Sequence, residues 1–290
     1  MSDRCRAESA RFPNFPEEIN DSVFASAPFP SMWNYARSFL RRDNFKTVVI
    51  LLYAAIALTI WKYAPAAPHY ADSSTGRVLI SESVVGARVD APSLVVPSST
   101  VDFTLQFLWN MRKIWCAFFL MGVFPALIVK FVFREKLSDY GLSFGSTRRS
   151  ISIFLMFLPV FAVMGWLSGS ERSFYDVYPF NPLACASPSA LVAHSIAYFF
   201  LYYLAWEFMF RGFLQLGLAN KFGAVPAVLV QTLASTMLHY GHPASETFGC
   251  LTGGLLWGFV VYRTRSIFSG WWQHAVLGIT LDWSLAYGAC

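Results

Sequence analysis

The sequence predicts an all-α polytopic membrane bundle of about seven transmembrane helices. Three observations predict it. Apolar residues make up 56% of the 290 positions, and charged residues only 13%, against about 25% in a soluble domain. Mean hydropathy is +0.46. Seven apolar runs recur along the chain, separated by segments rich in Pro, Gly or charge, and several approach the ~20 residues that cross a hydrocarbon core. Chains in lipid must satisfy their own backbone hydrogen bonds, so these runs are read as helices.

Residues 1–44 read as a polar, Pro-rich cytoplasmic arm. They hold no apolar h-region, so no signal peptide is expected there. Arg37, Arg41, Arg42 and Lys46 flank the first span, Phe45–Ala64, and by the positive-inside rule place the N-terminus in the cytoplasm. Residues 65–100 are rich in Pro, Ser, Val and Asp and read as an external insertion, with Arg77–Ser81 and Ser93–Val96 as short strands. Val101–Met111 reads as an interfacial helix leading into the second span, Ile114–Phe133, where Pro125 predicts a kink. Together, residues 45–133 form two spans with the insertion between them. Residues 134–290 form the remaining core.

That core opens on a basic loop from Arg134 to Arg149. The third span is Ile151–Leu167, followed by an irregular loop marked by Pro179, Pro182 and Pro188. The fourth, Ala190–Leu218, is longer than the bilayer requires and should tilt. The fifth is Ala224–Tyr240. The sixth, Thr247–Tyr262, carries Gly249, Gly253, Gly254 and Gly258 in two GxxxG patterns that allow close helix approach. Arg263 and Arg265 mark a cytoplasmic turn before the seventh, Ile267–Tyr287. No internal repeat is visible.

Composition also excludes some functions. The net charge of +5 reflects cytoplasmic Lys/Arg bias, and no basic patch interleaved with aromatics suggests a nucleic-acid partner. The five cysteines are scattered, with no CxxC and no zinc spacing, so neither a disulfide framework nor a cysteine metal site is supported.

The informative residues are polar ones inside apolar spans. A charge at such depth costs roughly 2.5–3.5 kcal/mol on insertion scales and usually faces a bundle interior for a reason. Glu207 and Arg211 are four residues apart and can pair on one helix face. His239, His274 and Asp282 lie in the fifth and seventh spans. At 1.5 Å per residue from the cytoplasmic turns, Glu207 lies roughly 18–20 Å deep, His239 roughly 22–24 Å, Asp282 roughly 24 Å and His274 roughly 12 Å. Each residue has a structural reading: an ion pair, hydrogen-bonded packing histidines, and an aspartate that caps or pairs with Arg211. His194 and His242 read as a packing residue and a loop residue. The catalytic alternative is hydrolysis. Glu207 takes a proton from water, His239 orients it, and His274 with Asp282 holds the oxyanion or a metal. A proton-relay transporter is a third reading, without the two pseudo-symmetric halves that would favour it.

Glu207-x-x-Phe210-Arg211-Gly212, then His239 and His274, resembles the CAAX protease and bacteriocin-processing (CPBP) family of intramembrane proteases, which includes the type II CAAX prenyl endopeptidases. The resemblance covers roughly residues 134–288 and includes the lead-in Asp139-Tyr140-Gly141-Leu142 and the Ser266-Ile267-Phe268 start of the seventh span. Three positions depart from the family pattern. Trp206 stands where a first glutamate is usual, Ser235 where a phenylalanine precedes the histidine, and Gly278 where an asparagine follows the second one. The Tyr240-Gly241-His242-Pro243…Glu246 loop is similar to a bacterial subgroup that carries an aspartate like Asp282.

The resemblance implies peptide-bond cleavage of a membrane-embedded or lipidated substrate in a cavity between spans four, five and seven. The place would be a bacterial inner membrane. A divalent metal such as zinc would take His239, His274 and Glu207 as ligands. It equally allows a non-catalytic member that binds a peptide or partner in the same cavity.

Overall fold

The structure is a computed structural model and describes residues 42–64, 100–143 and 147–289. Its helices are α1 (Arg42–Tyr63), α2 (Thr100–Asn110), α3 (Arg112–Phe133), α4 (Thr147–Ser168), α5 (Pro188–Phe222), α6 (Ala224–Leu238), α7 (Ala244–Thr264) and α8 (Phe268–Ala289). There is no strand among the described residues. The segments expected as strands, and the rest of the 65–99 insertion, lie outside them. Residues 1–48 and 49–290 form separate units; the packing below belongs to the second.

All seven predicted spans coincide with α1 and α3–α8, so the chain is an all-α membrane bundle. Four helices are long and apolar enough to cross a membrane by themselves, at Asn44–Tyr63, Arg112–Phe133, Ile151–Ser168 and Pro188–Phe222. The others are shorter, like α6, or carry more polar residues, like α7 and α8. Leu52, Ile56 and Ile60 on α1, Leu155 and Met156 on α4, and Leu229, Leu233 and Met237 on α6 are exposed. Outward apolar rows of this kind are what a lipid solvent requires.

The centre is α5. Its 35 residues span roughly 52 Å at 1.5 Å per residue, well beyond the ~30 Å hydrocarbon core. Every residue from Ala205 to Ala219 is buried, as expected of a helix enclosed on all sides. It is not uniformly α-helical. Wide π-type turns run over Tyr198–Tyr203 and Phe208–Leu216 and bracket a short α segment, Leu204–Glu207. Such turns are rare and concentrate at functional sites. Similar turns flank Pro125 in α3, at Phe118–Val123 and Ile128–Phe133, where the sequence predicts a kink.

Close approach is more selective than the glycine pattern suggested. Gly254 faces Thr232, and Gly258 faces Gln231 and Gln215, so α7 lies tightly on α6 and α5 there. Gly249 meets nothing and Gly253 meets only Trp257, so one stripe of the double pattern is used. The pattern missed Gly165 and Gly169, which let α4 press against Leu277 and Ser284 of α8.

The two ends of the bundle differ. At the basic end, Gly141 accepts a hydrogen bond from the Ile267 amide at 3.0 Å, which joins the 134–143 loop to the α7–α8 turn. At the other end, Lys62 donates to the carbonyls of Leu238 and Tyr240, both at 2.8 Å. Ser245 donates to Glu171 there, and Tyr178 donates to Glu246. Cys116 and Cys250 are free thiols, whereas Cys185 is disulfide-bonded, which the scattered cysteine pattern did not predict.

Candidate functional site

Three polar groups occupy the interior. The first is built on the α segment of α5. The four-residue spacing of Glu207 and Arg211 puts both on one face, and Arg211 Nη1 donates to Glu207 Oε1 at 3.1 Å. His274, from α8, brings Nδ1 to the same oxygen at 2.8 Å. Glu207 is fully buried and Arg211 is 1% exposed. A carboxylate so placed needs such partners, because an unpaired buried charge is costly.

Glu207 Oε2 is buried and has no protein partner. Its side faces Gly270, where a Cβ would lie 3.1 Å away, so glycine is what lets α8 pass this oxygen. Trp257 completes the group. Its ring stacks on His274 at 4.6 Å and lies 5.5 Å from the Arg211 guanidinium. Its indole donates to Gln273 at 2.9 Å.

The second group sits at the end of α6 and the start of α7. His239 Nδ1 lies 2.8 Å from the Ser235 carbonyl and donates to it. Nε2 lies 3.5 Å from Glu246 Oε1. His242 Nδ1 lies 3.1 Å from Glu246 Oε2. Burial holds the His242 imidazole below its ordinary value, against the pull of Glu246. The third group is a pair, His194 Nε2 with Asp282 Oδ2 at 3.0 Å, both effectively buried. His194 Nδ1 and Asp282 Oδ1 have no partner.

The predicted site residues therefore divide. Glu207, Arg211 and His274 converge. His239 joins His242 and Glu246 instead. Asp282 pairs with His194, and neither His274 nor Arg211 shares its hydrogen bonds. The depth estimate that set His274 apart from Glu207 is corrected by their direct contact. Counting rise from the loops had assumed that both turns start at one height.

Trp206 stands between the first two groups. It is 2% exposed, and its ring lies 5.5 Å from His239 and 6.3 Å from His274. Trp206 and Trp257 thus occupy space between α5, α6 and α8 where the resemblance implied a cavity. An apolar groove lined by Phe103, Phe107, Ser189 and Ala193 lies elsewhere, between α2 and the start of α5. Tyr203 packs on His274 at 4.7 Å, and its hydroxyl lies where a Cβ on Gly278 would project.

Among the described residues, only His239, His242 and Glu246 group three metal-type ligand atoms within 4.8 Å of one another. Sequence reasoning missed His242 and Glu246 as site residues, although their places three and seven residues after His239 were a usable signal. It also missed His194 as the partner of Asp282 and Tyr203 as the neighbour of Gly278, for which no local signal exists.

No curated protein and no solved structure matches the chain. Residues 188–280, the segment that carries Glu207, Arg211, His239 and His274, match the family model for type II CAAX prenyl endopeptidase Rce1-like proteins.

Proposed function

We propose that the chain is an intramembrane endopeptidase that hydrolyses a peptide bond in a membrane-associated, lipidated or embedded substrate. The supporting observation is the asymmetry of Glu207. One oxygen is held by Arg211 and His274, and the other is buried and unclaimed. A carboxylate fixed through one oxygen is positioned to take a proton from water with the other. The hydroxide then adds to the scissile carbonyl, the C–N bond breaks, and the proton passes to the leaving amine. Arg211 balances the charge and orients Glu207. His274 shares the held oxygen with Arg211 and fixes the carboxylate from α8. His239 stands across Trp206 and contributes at the margin of the substrate space. Asp282 enters as the partner of His194.

A metal on Glu207, His239 and His274 does not fit this geometry. Among the described residues, their donor atoms do not gather within 4.8 Å of one another, as those of His239, His242 and Glu246 do. No step is routed through one. The basic end of the bundle is assigned to the cytoplasm, with the N-terminus on that side and a bacterial inner membrane as the setting.

Purified protein in proteoliposomes, given fluorogenic membrane peptides with and without a prenyl group, tests the reading. Glu207→Gln should lower kcat by about 10²- to 10⁴-fold, the usual contribution of a general base. Cleavage by that variant at the wild-type rate would overturn the assignment. The full burial of Glu207 and Trp206 favours a second reading, a non-catalytic member that binds a peptide or partner. It predicts a crosslinked partner retained by Glu207→Gln and no cleavage product from the wild type.

A further inference from the structure

His239, His242 and Glu246 lie outside the Glu207 group and form a separate constellation at the open end of α6 and α7. We infer that they bind a divalent transition metal of the zinc class, one ion per chain. The inference does not rest on proteolysis, because it concerns binding alone.

The donor set is the first support. Two imidazole nitrogens and a carboxylate are a familiar three-ligand set for zinc, with a fourth position left to water. Spacing is the second. Donors about 2.0–2.2 Å from one ion in tetrahedral array lie about 3.3–3.6 Å apart. Here His239 Nε2 lies 3.5 Å from Glu246 Oε1, and His242 Nδ1 lies 3.1 Å from the other carboxylate oxygen, Oε2. All three donor atoms fall within 4.8 Å of one another, so a small closure of the two imidazoles completes the set.

Orientation is the third support. Metal-binding histidines usually donate their other nitrogen to a carbonyl or carboxylate. His239 does so through Nδ1 to Ser235, which aims Nε2 at Glu246. Glu246 Oε1 accepts from Tyr178 at 2.6 Å, so the carboxylate is itself held. The backbone is tied as well, since Thr247 donates to the His239 carbonyl at 3.0 Å. Access is the fourth. The side chains are 11%, 9% and 16% exposed for His239, His242 and Glu246. Every ligand of the set is thus partly exposed, whereas Glu207 is at 0%.

The chain supplies this set economically. His242 and Glu246 are four residues apart across the start of α7, and His239 caps α6. A bound ion would therefore staple the α6–α7 turn. That turn also carries His239, the ring beside Trp206, so the ion would fix one wall next to the Glu207 group.

The test uses the full chain in detergent, stripped with a chelator and titrated with Co²⁺, whose visible d–d absorption reports coordination without any activity. The wild type should take up one equivalent, displaced by Zn²⁺. His242→Ala and Glu246→Gln should weaken binding by more than about 100-fold, and Tyr178→Phe, which keeps all three ligands, by roughly 10-fold. Glu207→Gln should bind as the wild type does. That result separates this site from the proposed peptidase centre, which Glu207→Gln disables. No d–d bands in the wild type would overturn the inference. So would wild-type affinity in His242→Ala, Glu246→Gln or Tyr178→Phe, or loss of binding in Glu207→Gln. Far-UV circular dichroism identifies any variant that fails to fold, and Tyr178→Phe then decides the question.

Discussion

The Glu207 group and the Glu246 group use similar parts in opposite settings. Each sets a glutamate against histidines from other positions. Glu207 is wholly buried, and its bound oxygen is shared by Arg211 and His274. Glu246 is 16% exposed at its side chain, and each of its oxygens faces a different histidine. The first arrangement settles a charge inside the bundle and leaves one oxygen for chemistry. The second leaves donor atoms facing one another at the water-accessible end. On the proposed readings, the surroundings separate the roles: the same residue types serve as a reaction centre in one place and as a ligand set in the other.

The largest effect that sharpens this contrast is on stability. Arg211→Met leaves Glu207 with His274 alone inside the bundle, and breaking a buried pair from one side costs about 3–5 kcal/mol. Glu246→Gln, at the wet end, should cost much less, because the amide keeps most of the shape and water reaches it. Thermal unfolding in detergent should show Arg211→Met far below Glu246→Gln. Equal midpoints would mean that the two groups do not differ in burial as described.

A smaller effect concerns the neighbour of His274. The Tyr203 hydroxyl fills the space beside Gly278, so Gly278→Asn forces Tyr203 away from His274. Overpacking of this kind costs about 1–3 kcal/mol. The double variant Tyr203→Phe/Gly278→Asn should recover part of that loss, by removing the clashing oxygen. Without any recovery, the two positions do not share space.

The helices were legible because lipid rewards apolar runs directly. Ile151–Leu167 from sequence became Thr147–Ser168, and Ala224–Tyr240 became Ala224–Leu238. The Glu207–Arg211 pair was legible because it lies within one turn. Partners across the bundle were not. His194 and Asp282 are 88 residues apart, and no local pattern links them. Between His194 and Glu207, the π turn at Tyr198–Tyr203 changes the angular step of the helix. Faces counted at 3.6 residues per turn therefore drift. Pro243 hid the second group. It made His242 look like a loop residue, yet α7 begins at Ala244 and brings Glu246 back to it.

The smallest expected effect is a pH dependence confined to the accessible group. His242 lies in the turn outside the helices. Burial lowers its pKa from the ordinary 6.5, while Glu246 opposes the shift and His239 and Lys62 reinforce it. A histidine whose folded value is depressed favours the neutral form on folding. Its contribution is fully present above about pH 6.5 and declines as pH falls below that, when the unfolded chain takes up the proton first. The same protons compete with a metal for the imidazole, so Co²⁺ affinity should fall over the same range. His242→Ala should flatten the stability slope there while leaving the Glu207 group in place. If the slope persists in His242→Ala, another histidine carries it, and the separation of the two groups by accessibility loses its support.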